Sequence, residues 1–266
     1  MTENLNFNDA LSILDTLSKE VFLTDAWVPS LNKTIKLKEL NTKQQRNIIE
    51  SVFDVIEEKS PFSKTLFDII SENCLEEPNV VKHLTVIDKV CLAFYIRKQL
   101  SDTIKIVFQE TPKIEADINI DDILEKFKSF EHPEEETITH VLDSVKIEVD
   151  IKPATIQEDS NFDISIFKSN KETDELEKYK NIVGSAFLNE VAKNIKEIKI
   201  NDNLFNYNDL SIDNKIKVVE KLPASLIKNI LDKTMDWKSK IEKICTVNFE
   251  NIEKIIKIDA FLFLIN

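Results

Sequence analysis

Apolar residues along this chain fall into two rhythms, one of period two and one of about 3.6 residues, and their order outlines the fold. Val21-Phe22-Leu23 and Thr34-Ile35-Lys36-Leu37-Lys38 are β-rich runs, the second alternating. Val28-Pro29-Ser30-Leu31-Asn32-Lys33 between them carries turn chemistry, so the pair predicts a β-hairpin. Helical spacing follows over Lys43 to Glu58, Phe62 to Cys74 and Thr85 to Leu100. The last of these is apolar almost all round, with Val86, Ile87, Val90, Cys91, Leu92, Ala93, Phe94, Tyr95 and Ile96, which predicts a buried helix. Asp88 near its start and Arg97 near its end suit the helix dipole.

Residues 1–18 carry a separate stripe of Leu5, Phe7, Ala10, Leu11, Ile13, Leu14 and Leu17, with Asn8 or Asp9 as a cap. A helix of this kind needs a surface to cover it, either its own domain or a groove on another subunit. Thr103 to Phe108 and Val145 to Ile151 alternate as strands around a helical piece from Ile123 to Phe130. These strands are expected to pair with each other, with the N-terminal hairpin as a further neighbour. The polar stretch Glu158 to Glu172 reads as a linker or exposed loop, though Phe162, Ile164, Ile166 and Phe167 argue against full disorder.

Beyond it Leu176, Tyr179, Ile182, Val183, Phe187, Val191 and Ile195 keep one helical stripe, followed by a brief strand at Glu197 to Ile200 and an Asn-rich turn. Asp209 or Ser211 caps a helix ending near Leu222, and Pro223 takes the tolerated first position of the next. Ile227, Ile230, Leu231 and Met235 are its expected core face, continued by Trp237, Ile241 and Ile244. A last helix is expected to hold Ile252, Ile255, Ile256 and the Phe261-Leu262-Phe263-Leu264 end.

The order between Val21 and Phe108 resembles the T4-type phage baseplate hub and hub-assembly proteins. The residues that carry it are Val28-Pro29-Ser30 before the hairpin turn and Ile35-Lys36-Leu37-Lys38-Glu39-Leu40 before a Lys/Gln-rich helix start. Ile69-Ile70-Ser71-Glu72-Asn73-Cys74, Leu84-Thr85-Val86-Ile87-Asp88-Lys89 and Phe94-Tyr95-Ile96-Arg97 with Ser101 complete the set. Further echoes are the strand Val145 to Lys152 ending at Pro153, and Leu222-Pro223 opening a C-terminal helix. The chain departs from that family at Asp102, where members often carry Gly, and in having no Cys between Gln109 and Ile120. The resemblance implies a non-enzymatic role in building the baseplate hub of a contractile-tailed phage, as a hub component or an assembly factor. A transient tail or hub chaperone absent from the mature virion is the alternative; a hydrolase with an acidic site ranks below both.

Composition narrows the chemistry. A formal charge of −13, from 35 Lys and Arg against 48 Asp and Glu, disfavours attachment to phosphate backbones. In Lys193 to Lys199 and Lys238 to Lys243 the lysines alternate with Glu, as on a solvated face. An apolar fraction of 42% and a mean hydropathy of −0.22 are those of a soluble globular protein, with no run long enough to span a bilayer. The polar start Met-Thr-Glu-Asn predicts synthesis without a secretory signal.

The one glycine, Gly184, lies in a helical pattern, so no phosphate-cradling loop or nucleophile elbow can be written; turns must rest on Asn, Asp and Pro. Cys74, Cys91 and Cys245 form no even-numbered framework and read as buried free thiols. His83, His132 and His140 are the only histidines, too scattered for a zinc site, and no activated Ser or Cys stands beside His83 as a general base. Asp121-Asp122, Glu57-Glu58 and Glu134-Glu135-Glu136 read as exposed charges.

The expected protein is α+β: an N-terminal amphipathic helix (1–18), a hairpin-plus-helices unit (19–101), a central β-containing insert (102–157), a linker or loop (158–173) and a helical C-terminal region (174–266). Leu11, Leu14 and Leu17 at one end and Phe261, Leu262 and Phe263 at the other are the expected docking residues. Expected partners are other phage hub or tail proteins, with no cofactor, metal, nucleic acid, membrane or small-molecule substrate. The expected place is the host cytoplasm during assembly, with the virion baseplate as a further location.

Overall fold

A computed structural model of the chain describes residue 8 and residues 23–56, 61–169 and 175–263. The N-terminal docking residues Leu11, Leu14 and Leu17 lie outside the described residues, as do Val21, Phe22 and the Glu57-Glu58 pair. The chain is an α+β protein whose described strands form small antiparallel sheets.

β1 (Leu23–Val28) pairs with β2 (Lys33–Lys38), Leu23 opposite Lys38 and Val28 opposite Lys33. Alternation puts Ala26, Val28, Ile35 and Leu37 on one face, and all four are fully buried. Between the strands a single 3-10 turn, Pro29–Leu31, ends at Asn32 in the left-handed region. Three helices follow, α1 (Thr42–Ile56), α2 (Phe62–Asn73) and the short α3 (Pro78–His83), before the central α4 (Val86–Lys98). Thr85 and Asp88 form a capping box at the start of α4, each bonding to the other's backbone N–H. Asp88 also accepts from the Ser30 N–H at 2.9 Å, tying the hairpin turn to the helix. Asp88 is therefore buried, doing more than meeting the helix dipole.

β3 (Thr103–Glu110) pairs with β4 (Lys113–Asn119), and Asn119 caps α5 (Ile120–Lys128). The larger sheet has the order β5 (Glu136–Leu142), β6 (Val145–Ile151), β7 (Ile195–Ile200), β8 (Asn203–Phe205). The expected pairing of 103–108 with 145–151 is thus corrected. Each strand pairs with an alternating run next to it, Ile114, Ala116 and Ile118 in one case and Ile138 and His140 in the other, because short hairpins close more cheaply than distant pairings.

Two further expectations are corrected. The stretch read as a linker from 158 forms α6 (Ile156–Ser169), started by a second capping box in which Thr155 and Glu158 exchange backbone bonds of 2.8 and 3.1 Å. The last helix is instead the hairpin β9 (Thr246–Phe249) and β10 (Ile252–Ile255), with a 3-10 turn at Ala260–Phe263. Between lie α7 (Glu175–Asn194), α8 (Ile212–Val219) and α9 (Ala224–Cys245). Ser211 caps α8 as expected, while Pro223 stands one position before α9.

The interior is divided into two apolar cores. The first surrounds α4 and gathers the β1–β2 hairpin, α2, α5, β9 and the Ala260–Phe263 turn. The second lies between the four-stranded sheet and α6 to α9. Helix α9 serves both, with Leu226, Ile230 and Trp237 in the second core and Ile244 and Cys245 in the first. Met235, expected on the core face, is 55% exposed, because the buried stripe of α9 runs through Ile230, Thr234 and Trp237.

Candidate interaction surfaces

The four-stranded sheet outruns the helices that cover it. Cross-strand register aligns Ile138, Val149, Ile198 and Phe205 in one row and His140, Ile147 and Ile200 in the next. Leu142 and Val145 then close the β5–β6 hairpin on the same face. The first row is buried except for Phe205, whereas Leu142 is 59%, Ile200 44% and Val145 38% exposed. The inner face therefore continues as an apolar ledge, edged by the turn residues Asp143, Asn201 and Asp202. On the opposite face the charged row of Glu148 and Lys199, where Lys199 pairs with Glu197 at 2.9 Å, is joined by Thr139 and by the exposed Val141 and Leu204.

The C-terminal docking residues divide. Phe261 is 62% exposed, but Leu262 and Phe263 are buried. Phe263 packs on Phe62 with ring centroids 5.7 Å apart, and the Leu262 carbonyl accepts from Arg97 Nε at 2.8 Å. The expectation is corrected for these two: they complete their own core, and only Phe261 faces outward.

A polar cluster lies where the two cores meet. Asp159 on α6 accepts from Lys89 on α4 and from Lys193 on α7, the second at 3.0 Å. Lys193 also pairs with Glu190 at 2.6 Å. Burial raises the Asp159 carboxyl, but Lys89 and Lys193 outweigh it and hold the group well below the usual carboxylate range. Burial likewise opposes the Lys193 charge, and Asp159 and Glu190 reverse that, so its pKa is raised. Nearby, burial weakens the Lys196 ammonium more than Glu158, at 2.6 Å, restores it. A cleft of about 320 Å³ opens beside the cluster, walled by Val90, Trp237, Ile241 and Ile256.

The candidate catalytic groups are not brought together. His132 Nε2 lies 3.1 Å from the Thr85 hydroxyl, which donates to Asp88 at 2.9 Å; burial lowers the His132 pKa, opposed by the Asp88 charge. That hydroxyl is engaged in capping and is not available as a nucleophile. His83 is exposed in the last turn of α3, and His140 sits on β5 at 3.5 Å from Ser225. Asp121 and Asp122 occupy the first turn of α5, Asp121 paired with Lys98 at 2.6 Å. Glu136 pairs with Lys233 at 2.7 Å on the surface. The three cysteines are buried free thiols, and burial pushes Cys245 up to about 12. Among the described residues no group of three His, Cys, Asp or Glu side chains is placed to hold a metal, and no helix is long and apolar enough to cross a membrane.

The ledge was missed in the sequence because its residues carry the same alternation as the core rows beside them. The helices that stop short of it are remote in sequence. Comparison of the chain with protein-family models, curated proteins and solved structures gives no match.

Proposed function

We propose that this chain is a non-enzymatic building or assembly protein of the baseplate hub of a contractile-tailed phage, working through protein–protein contacts. The family reading rests on the ordered resemblance between Val28 and Ser101. The observation that carries the contact role is the ledge of Leu142, Val145 and Ile200, an apolar continuation of a core face at the end of the sheet, with Val141 and Leu204 exposed on the other face of the same end. Fully burying a side chain of this kind contributes about 1.5–3 kcal/mol, and these three, 38–59% exposed, retain about half of that to add to a larger contact. Partners would be other hub or tail proteins, met in the host cytoplasm and retained in the baseplate if the chain is a subunit.

Val145→Glu with Ile200→Glu tests the reading in an infection. The expected result is loss of co-purifying tail proteins and of complete tails while the variant stays folded; unimpaired tail assembly would overturn the role. Mass spectrometry of purified virions separates a resident subunit from a transient chaperone that leaves before maturation.

A further inference from the structure

Six of the large apolar side chains that the described chain leaves exposed gather at one end of the four-stranded sheet. Leu142, Val145 and Ile200 form the ledge, Val141 at 62% and Leu204 at 57% exposure point to the other face, and Phe205 at 37% returns to the first. The pairs Val141-Leu142 and Leu204-Phe205 lie on β5 and β8, the two outer strands of the sheet. Each pair is consecutive in sequence, the pattern of a strand covered on both faces rather than one. The two turns that end the sheet here are held side by side: Asn201 Oδ1 accepts from the Lys146 N–H at 2.8 Å, and the Asn201 N–H donates to the Lys146 carbonyl at 2.9 Å. Asp143 and Asp202 stand in these turns, and among the described residues neither forms an ion pair. The lysines nearby are already engaged, Lys146 with Glu148 at 2.8 Å and Lys199 with Glu197. The sheet end is thus apolar on both faces and acidic at its turns.

We propose that this sheet end is a tongue seated in a two-walled apolar slot of another protein, with Lys or Arg at the floor of the slot. The proposal rests on the contact role proposed above and specifies the shape and charge of the partner. A flat partner covers one face of a sheet, so it would bury the ledge and leave Val141 and Leu204 in water, or the reverse. A second copy meeting tip to tip would set Asp143 and Asp202 against their own counterparts, and like charges brought together oppose the contact. A lipid interior would strip water from Asp143, Asp202, Lys146 and Glu148 and supply no partners in its place. A protein slot meets every requirement at once: apolar walls for both faces, hydrogen-bonding groups for the open edges of β5 and β8, and cations for the two acids.

The test uses full-length chains with one added cysteine each: Val141→Cys or Leu204→Cys for one face, Val145→Cys or Ile200→Cys for the other, and Lys228→Cys, exposed on α9, as control. Cys74, Cys91 and Cys245 are buried and remain in place. Each face has two positions, so a variant whose unfolding midpoint falls can be dropped. Labelling by a polyethylene-glycol maleimide is timed on the purified chain and on tagged chain in the complexes recovered from infected cells. The expected result is that labelling on both faces slows about tenfold in the complexes, the factor for a site covered about nine-tenths of the time, with the control unchanged. Asp143→Asn with Asp202→Asn keeps residues suited to left-handed turns and should cut the yield of complexes about tenfold. Slowing at Val145 and Ile200 alone would mean a one-sided partner, overturning the tongue and leaving the hub reading intact. Slowing on both faces in complexes free of tail proteins would keep the tongue and remove the hub reading. Rates that fall in the purified chain as its concentration rises, or on adding phosphatidylcholine vesicles, would assign the sheet end to a second copy or to lipid and overturn the proposal. So would rates unchanged in the complexes, or a yield indifferent to loss of the two acids.

Discussion

Asp159 holds Lys193 at 3.0 Å where neither side chain is more than 15% exposed, making an ion pair the joint between the two cores. Lys89 approaches the same carboxylate from α4, so one acid on α6 ties the α4 and α7 sides together. Breaking one partner of such a buried set costs about 3–5 kcal/mol, because the remaining charges stay desolvated. Asp159→Asn should lose that much in urea unfolding at neutral pH, while a loss under about 1 kcal/mol would mean that water screens the site.

The same pair sets a dependence on pH. The folded-state pKa of Asp159 is depressed, so its contribution is present above about pH 4, the unfolded value, and is lost as pH falls through the lower folded one. Lys193 is raised, so its share is present below about pH 10.4 and is lost as pH climbs past that. Asp163, one turn along α6, works against Asp159: burial first, then the Asp159 charge, pushes its carboxyl up, so it favours the folded state on protonation. Stability measured below about pH 4 in an Asp163→Asn background should fall with acidification, and more steeply than when Asp159→Asn is added. Equal slopes would remove Asp159 from the acid transition.

Phe94 is fully buried on α4 and meets Phe127 of α5 with ring centroids 6.3 Å apart. Phe94→Ala should cost about 3–5 kcal/mol in chemical denaturation, with a cavity left between the two helices.

The sheet rows offer an internal contrast. Ile198→Ala, in the covered row, should cost about 2–5 kcal/mol. Val145→Glu, on the ledge of the same face, should change stability by less than about 0.5 kcal/mol. Similar losses at both positions, read by thermal and urea unfolding, would mean that the ledge belongs to the monomer's core.

Glycine stands where the backbone does not require it and is missing where it would fit. Gly184 sits inside α7 with open space around the position of a Cβ, so Gly184→Ala should stabilise by about 0.5–1 kcal/mol. Glu250 takes φ 50 in the β9–β10 turn, a conformation that costs a side-chain-bearing residue about 1–2 kcal/mol. Glu250→Gly should stabilise by roughly 0.5–1 kcal/mol, the lost flexibility of Gly offsetting part of the gain. Midpoint shifts of opposite sign would contradict both placements.

Local signals made much of this fold readable. The apolar circumference of Val86 to Ile96 marks a buried helix, and the alternation of Val145 to Ile151 marks its strand to the residue. Left-handed turns do rest on Asn and Asp, at Asn32, Asp143, Asn201, Asp202 and Asn251. The start of α6 was legible too, in Thr155 followed three residues later by Glu158, but the polar run after it outweighed that cap. The β9–β10 hairpin was not, since Ile252, Ile255 and Ile256 fit a helical stripe and its turn has no glycine to announce it. Nor could the backbone bonding of Arg97 be recognised, because its carbonyl partners at 101, 103 and 262 converge only after the C-terminal turn folds back.

That return has a consequence for how the chain acquires its shape. Ile244, Cys245, Val247, Ile256, Leu262 and Phe263 complete the core begun by Ala26, Val28 and Ile35. While the chain emerges from the ribosome, the α4 core stays open on one side until residues 244–263 arrive, since burial of its apolar surface depends on them. The first core therefore closes last, after Trp237 has completed the second, with α9 carrying the closing segment from one to the other. A nascent chain halted before residue 244 presents an unfinished apolar face, a form that a holding chaperone would recognise and the finished protein conceals.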